Sequence, residues 1–123
     1  MENKIKTAIV RKQGKNFSKG ITTTDKVPDV KKALEQHEEY RKVRESCGVE
    51  VVTLEANEKY PDGCFVEDTA VITEKCAVIT NPGDPARKGE VLEMAEVLKD
   101  YRTTHRIKAP GTMDGGDILR IED

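Results

Sequence analysis

The chain has 123 residues, enough for one domain, and its composition of 36% hydrophobic and 36% charged residues is that of a folded, charge-rich protein. Its 21 basic and 23 acidic residues are interleaved and give a net charge of −2, which excludes the basic face needed for nucleic-acid binding. No apolar run approaches the roughly 18 residues of a membrane helix and the N-terminus has no signal-peptide core, so we expect a cytoplasmic protein.

The first half of the chain predicts a strand, a long loop, a helix and a second strand. The strand covers residues 6–11, and the polar loop at 12–27 has no hydrophobic periodicity, which is typical of functional or mobile loops. Apolar residues at helical spacing predict a helix that opens at residue 28 and ends before Gly48, a residue type favoured just after a helix. A strand over residues 49–54 follows.

The second half predicts a hairpin, a helix and two further strands. The hairpin pairs residues 65–73 with 76–80, and a helix capped by Asp84 extends to about residue 101. Strands at 104–108 and 113–121 complete the order β-α-β-β-β-α-β-β, an α/β pattern with two similar β/α units. The chain stops after an apolar strand that would be an unprotected edge, so we expect an incomplete fold.

Three polar clusters are candidates for chemistry, each with a plainer interpretation. On a strand, Glu67 and Asp68 would face opposite sides, and a carboxylate that points inward would need a cation or hydrogen-bond donors. The plainer interpretation is that both belong to a solvated start of the strand. Asp114 and Asp117 flank paired glycines and could serve a cationic substrate or orient a histidine, although Asp-Gly is also an ordinary turn. Arg87 lies in the first turn of a helix, where the helix dipole disfavours a cation; this hints mildly at anion binding, although a surface arginine is the more common case.

The chain offers no convincing nucleophile with its base. Cys64 lies beside carboxylates that would suppress its thiolate. His37 falls on the apolar stripe of the first helix, as packed histidines do, and His105 lies between basic residues. The three cysteines are odd in number and widely spaced, so we expect reduced thiols and no disulfide framework or metal site.

Several motifs occur together from residue 6 onward. They are Val10-Arg11, Gly20-Ile-Thr-Thr23, Gln36-His37, Phe65-Val-Glu-Asp-Thr-Ala-Val71, Ile79-Thr-Asn-Pro-Gly83, Arg87 and Asp114-Gly-Gly-Asp117. In combination they resemble the N-terminal half of the dimethylargininases (dimethylarginine dimethylaminohydrolases) of the guanidino-modifying pentein superfamily. Arginine deiminases typically have an arginine where this sequence has Glu67, which favours the dimethylargininase branch.

The resemblance implies a fold and an activity. The family folds as a five-bladed αβ propeller, of which residues 1–123 would form about two αβ modules plus a final strand, with residues 12–27 as a lid-like loop. Its members hydrolyse N-methylated arginine to citrulline and a methylamine. A cysteine attacks the guanidinium carbon, a histidine moves protons, an acid orients the histidine, and no cofactor or metal takes part.

The same resemblance implies roles for individual residues. Glu67 and Asp68 would bind the substrate guanidinium, as a carboxylate pair can hold a planar cation. Asp62 would meet the α-amino group of the substrate and Arg87 its carboxylate. Asp114 would be the acid that orients the histidine.

Gln13 would lie near a backbone contact to the substrate, although it is not the usual residue there. The catalytic histidine and cysteine of the family fall beyond residue 123, and neither His37 nor His105 nor any cysteine of this chain aligns with them. We therefore expect the isolated chain to be inactive and to need a C-terminal half, as part of a split or truncated enzyme. The alternatives are part of an arginine deiminase-like enzyme, a non-catalytic arginine-binding module, and a self-associating module in which a second copy closes the ring.

Overall fold

The computed structural model describes residues 5–121 and divides the chain into two compact units between Cys64 and Phe65. The strands and helices are β1 (Thr7–Arg11), α1 (Val30–Ser46), β2 (Glu50–Leu54), β3 (Ala70–Ile72), β4 (Cys76–Ile79), α2 (Val91–Leu98) and β5 (Thr103–Arg106). Four short 3₁₀ helices lie at Phe17–Lys19, Val66–Thr69, Pro85–Glu90 and Gly115–Asp117. Among the described residues, no helix is both long and apolar enough to cross a membrane.

The first unit is a β-α-β arrangement in which β1 and β2 pair in parallel, with Thr7 opposite Glu50 and Arg11 opposite Leu54. The ends of α1 follow from its sequence. The carboxylate of Asp29 accepts the Lys32 N–H at 3.1 Å and so satisfies one of the orphan donors of the first turn. The predicted helix is confirmed here, with its N-terminal boundary moved by two residues.

Gly48 lies just beyond α1 with a φ of 81°, in the left-handed region that β-carbon sterics disfavour for other residues. A β-carbon added there would meet nothing within 4 Å, so the requirement for glycine comes from the backbone conformation at residue 48 and not from crowding by neighbouring residues.

We therefore predict that Gly48→Ala lowers the free energy of unfolding by about 1 kcal/mol. Gly48→Asn should cost less, because asparagine tolerates the left-handed region better than alanine. Thermal or urea unfolding of the two variants would measure the difference. Equal losses would show that the backbone conformation at residue 48 does not set the cost.

The second unit is a three-stranded sheet in the order β3-β4-β5, with β3 antiparallel and β5 parallel to β4. The predicted hairpin between residues 65–73 and 76–80 is thus present, although β3 is shorter than expected. The chain returns from β4 to β5 through α2, which makes a second β-α-β unit. The buried apolar core lies between the sheet and one face of α2 and comprises Ala77, Ile79, Val91, Met94 and Leu98.

Two segments that the sequence predicts as strands are 3₁₀ helices in the structure. Glu67 and Asp68 lie in the 3₁₀ helix Val66–Thr69, named the acidic turn below, and not on opposite faces of a strand. The Thr69 hydroxyl donates to the Val66 carbonyl at 2.6 Å, a local bond that competes with strand pairing. The predicted strand at 113–121 is also wrong, since it contains the 3₁₀ helix Gly115–Asp117, the glycine turn, and only one isolated bridge, from Asn81 to Met113.

The predicted helix at 84–101 begins as a 3₁₀ helix and becomes α-helical only at Val91. Its predicted cap is confirmed, because the Asp84 carboxylate accepts the Ala86 N–H at 2.8 Å. The loop at 12–27 contains one short 3₁₀ helix, and residues 21–29 are exposed.

Candidate functional site in the second unit

The carboxylate of Asp68 is held in one orientation by a donor on each oxygen. Oδ1 accepts the Gly116 backbone N–H at 2.9 Å, and Oδ2 accepts from Nη1 of Arg87 at 2.6 Å. The backbone is fixed too, because the buried Thr80 hydroxyl donates to the Asp68 carbonyl at 2.6 Å. With 23% of its side chain exposed, Asp68 is a partly buried and pre-oriented anion.

Arg87 is clamped between two carboxylates. Its Nε and Nη2 donate to the two oxygens of Glu90 at 2.8 and 2.7 Å, a bidentate pairing. Nη2 also donates to the Phe65 carbonyl at 3.2 Å. The hydrogen bonds to Glu90 and then Asp68 raise the pKa of Arg87 against the opposing effect of burial, so this cation is permanent.

The glycine turn, which follows directly after Asp114, brings the Gly116 N–H against the acidic turn. A β-carbon on Gly115 would overlap the backbone carbonyl of Glu67, so only glycine permits this approach. Oδ2 of Asp114 accepts the Gly83 N–H at 3.1 Å. Glu67 itself is exposed on the acidic turn.

The other two predicted site residues belong to the first unit. Asp62 is 8% exposed, and its Oδ2 accepts the Ile21 N–H at 3.0 Å. A β-carbon on Gly20 would collide with Oδ1 of Asp62, so the loop passes directly against this carboxylate. Gln13 is half-buried, and within residues 5–121 its Oε1 is buried with no hydrogen-bond partner.

The model of the family described as "N,N dimethylarginine dimethylhydrolase, eukaryotic" matches residues 7–113. The chain belongs to the dimethylarginine dimethylaminohydrolase family. A curated relative from Pseudomonas aeruginosa, an N(G),N(G)-dimethylarginine dimethylaminohydrolase, is 37% identical over 96% of this chain and 48% of its own. The Streptomyces coelicolor enzyme of the same name is 34% identical over 96% of this chain and 47% of its own. The chain thus spans about half the length of the curated relatives it matches.

Solved structures agree with this membership. A cysteine-to-serine variant of the Pseudomonas aeruginosa enzyme, complexed with citrulline, superposes with a TM-score of 0.93 at 37% identity and covers 95% of this chain and 47% of that one. The N-terminal domain of a cyanobacterial arginine dihydrolase, bound to product, has a TM-score of 0.78 at 13% identity, over 91% of this chain and 43% of that one. The second likeness shows the fold alone, the α/β fold of the pentein enzymes.

The resemblance to the dimethylarginine dimethylaminohydrolases is therefore confirmed. Within the second unit, the structure brings together Asp68, Arg87, the acidic turn that carries Glu67, and the glycine turn that follows Asp114. Sequence reasoning missed Glu90, the partner of Arg87. Its only signal is the spacing of three residues after an arginine, which surface ion pairs on helices share.

His37, Cys47 and Cys64 belong to the first unit, and Cys76 lies in the second. His37 is half-buried on α1, and desolvation lowers its pKa below the ordinary value, with the Glu38 carboxylate opposing the shift. Within the described residues, Cys47, Cys64 and Cys76 form no disulfide.

We predict that Gly115→Ala lowers the free energy of unfolding by about 2–3 kcal/mol, because the new methyl group overlaps backbone that cannot move independently. Gly83→Ala is the matched control, since its β-carbon would make an ordinary 3.5 Å contact with Oδ2 of Asp114. The control should change stability by no more than about 0.5 kcal/mol. Denaturant unfolding measures both, and equal stability of the two variants would contradict the close approach of the turns.

Proposed function

We propose that this chain supplies the substrate-binding groups of a dimethylarginine dimethylaminohydrolase that converts N-methylated arginine to citrulline and methylamine. The observation that carries the proposal is the pre-oriented Asp68 carboxylate beside Glu67, in a chain of this family. Solved relatives support the ligand class, since one is complexed with citrulline and another is an adduct with S-methyl-L-thiocitrulline.

The two β-α-β units would be consecutive modules of a five-bladed propeller. Their support is the repeated parallel strand pair with a helical crossover, β1 with β2 and β4 with β5. The remaining modules, together with the nucleophilic cysteine and the proton-transferring histidine, would come from residues outside this sequence. They would lie in the same polypeptide or in a separate C-terminal half. A second copy of this chain would close the ring without supplying that cysteine and histidine.

Asp68 and Glu67 suit a guanidinium because a carboxylate has about four acceptor positions. Asp68 uses one position on each oxygen, for Arg87 and for Gly116, and so retains capacity for the N–H groups of a planar cation. The incoming thiolate would attack the guanidinium carbon, and a C–S bond would form as the methylamine leaves with a proton from the histidine. Water would then cleave the C–S bond and release citrulline and the thiol.

Asp62 would receive the α-ammonium group of the substrate, and its bond from the Ile21 N–H would couple that event to the loop at 12–27. Gln13, in the same loop, would lie near a backbone contact to the substrate. Asp114 would orient the histidine, since one bond from Gly83 leaves acceptor capacity for an imidazole N–H. Arg87 would meet the substrate carboxylate. Because Glu90 occupies its Nε–Nη2 edge, this contact would use Nη1, shared with Asp68.

The test is complementation. We expect the chain, co-expressed with the C-terminal half of the Pseudomonas aeruginosa relative, to form citrulline from N-methylarginine, while either half alone does not. Asp68→Asn should lower kcat/KM by about tenfold or more, the cost of one charge-assisted hydrogen bond. Asp100→Asn, at an exposed residue after α2, is the matched control and should leave activity unchanged.

Three outcomes would count against this function. Citrulline formed faster from arginine than from N-methylarginine would favour the deiminase alternative. Ligand binding by a stable heterodimer without turnover would favour a non-catalytic arginine-binding module. A homodimer that binds no guanidino compound, observed by native mass spectrometry and titration, would favour a self-associating structural role.

A further inference from the structure

Glu90 has no assigned contact with substrate, yet it is the most thoroughly buried charged side chain of the cluster. Its side chain is 3% exposed, against 12% for Arg87 and 23% for Asp68. A carboxylate removed from water in this way needs a matched cation. Both oxygens of Glu90 find it in the Nε–Nη2 edge of Arg87.

We infer that Glu90 is a positioning residue that keeps Arg87 from occupying the substrate's place on Asp68, an inference that rests on the proposed function of Asp68. Arg87 carries the same guanidinium group as the proposed ligand and lies 2.6 Å from Oδ2 of Asp68. If the Arg87 side chain were free to rotate, its Nε and Nη2 groups could both donate to the Asp68 carboxylate in a bidentate pair. Glu90 binds that edge, and Arg87 donates to Asp68 from Nη1.

The position of Glu90 in the chain restricts its movement. It ends the 3₁₀ helix Pro85–Glu90 and leads directly into α2, whose Val91, Met94 and Leu98 are buried in the core. On the other side, the Gly116 N–H holds Oδ1 of Asp68. The chain of contacts Glu90–Arg87–Asp68–Gly116 therefore has one end fixed by packing and the other by the glycine turn.

The inference predicts that loss of the Glu90 charge turns Arg87 into an internal competitor. In Glu90→Gln the edge of Arg87 moves onto Asp68, and a guanidinium ligand must displace it. Methylguanidine is the appropriate probe because it has no carboxylate or ammonium group, and so reports on the acidic pair alone. Its dissociation constant should rise roughly fivefold or more in Glu90→Gln, in the chain assembled with the C-terminal half of the relative.

A double-mutant cycle distinguishes this from a merely structural role. Removing the competitor as well, in Arg87→Gln/Glu90→Gln, should tighten methylguanidine binding relative to Glu90→Gln and bring it within about twofold of Arg87→Gln. Additive losses in the double variant would overturn the inference. The matched control is Glu96→Gln, which breaks the exposed ion pair with Lys99 at the same spacing of three residues and should change nothing.

A ligand-free readout keeps this test separate from that of the proposed function. In the 123-residue chain, NMR should show an exchange-protected Arg87 Nε–H that disappears in Glu90→Gln, and the Gly116 amide resonance should shift as Asp68 reorients. An unmoved Gly116 resonance in a folded Glu90→Gln variant would overturn the positioning role, whatever the ligand does. These shifts without methylguanidine binding in any variant would refute the proposed function of Asp68 and leave the Glu90–Arg87–Asp68 linkage established.

Discussion

The second unit depends on an arginine held between two carboxylates away from water. Arg87 contributes one positive charge and Asp68 and Glu90 two negative charges, so the three groups carry a net charge of −1. Burying charges is costly unless they are paired and hydrogen-bonded. The three groups are well hydrogen-bonded, but one cation cannot pair fully with two carboxylates. The excess negative charge lies on the more exposed member, Asp68, where an external cation would balance it.

The Asp68 carboxylate is oriented by the backbone of two glycines, Gly115 and Gly116. The glycine turn can rest on the carbonyl of Glu67 only because Gly115 has no side chain. The contact in turn aims the Gly116 N–H at Asp68, a neutral donor that orients the carboxylate without cancelling its charge. A lysine in the same place would have neutralised the group and removed its attraction for a cation. Backbone donors and side-chain cations thus have different uses in this cluster.

Helix caps, turns and hairpins are predicted well from the sequence where interactions between nearby residues determine them. The cap at Asp84, the glycine after α1 and the hairpin between β3 and β4 were all predictable in this way. The strand prediction over residues 65–69 failed because residues that favour strands look the same in the sequence whether they pair or are closed into a turn by a threonine hydroxyl. The apolar run at 118–121 failed similarly, since Leu119 is 82% exposed and the segment joins no sheet within the described residues.

The site shows the same division. Asp68, Arg87 and Asp114 are recognisable as candidates from the sequence, and their proposed roles come from the family resemblance. Spacing alone cannot show that Arg87 contacts a carboxylate 19 residues earlier, because that contact depends on how the acidic turn packs beside the 3₁₀ helix Pro85–Glu90. Glu90 could not be predicted from the sequence for a related reason. In a charged stretch, the sequence does not distinguish a buried acid from a solvated one.

The net charge of the cluster also bears on the direction of the proposed reaction. A methylated guanidinium is a cation, whereas the ureido group of citrulline is neutral and keeps only the hydrogen-bonding geometry. A site with one unbalanced carboxylate would therefore hold the substrate more strongly than the product at the reacting end. If Glu90 were absent, Arg87 would satisfy Asp68 internally, and that difference would shrink. Glu90 would then contribute to discrimination between substrate and product without touching either one.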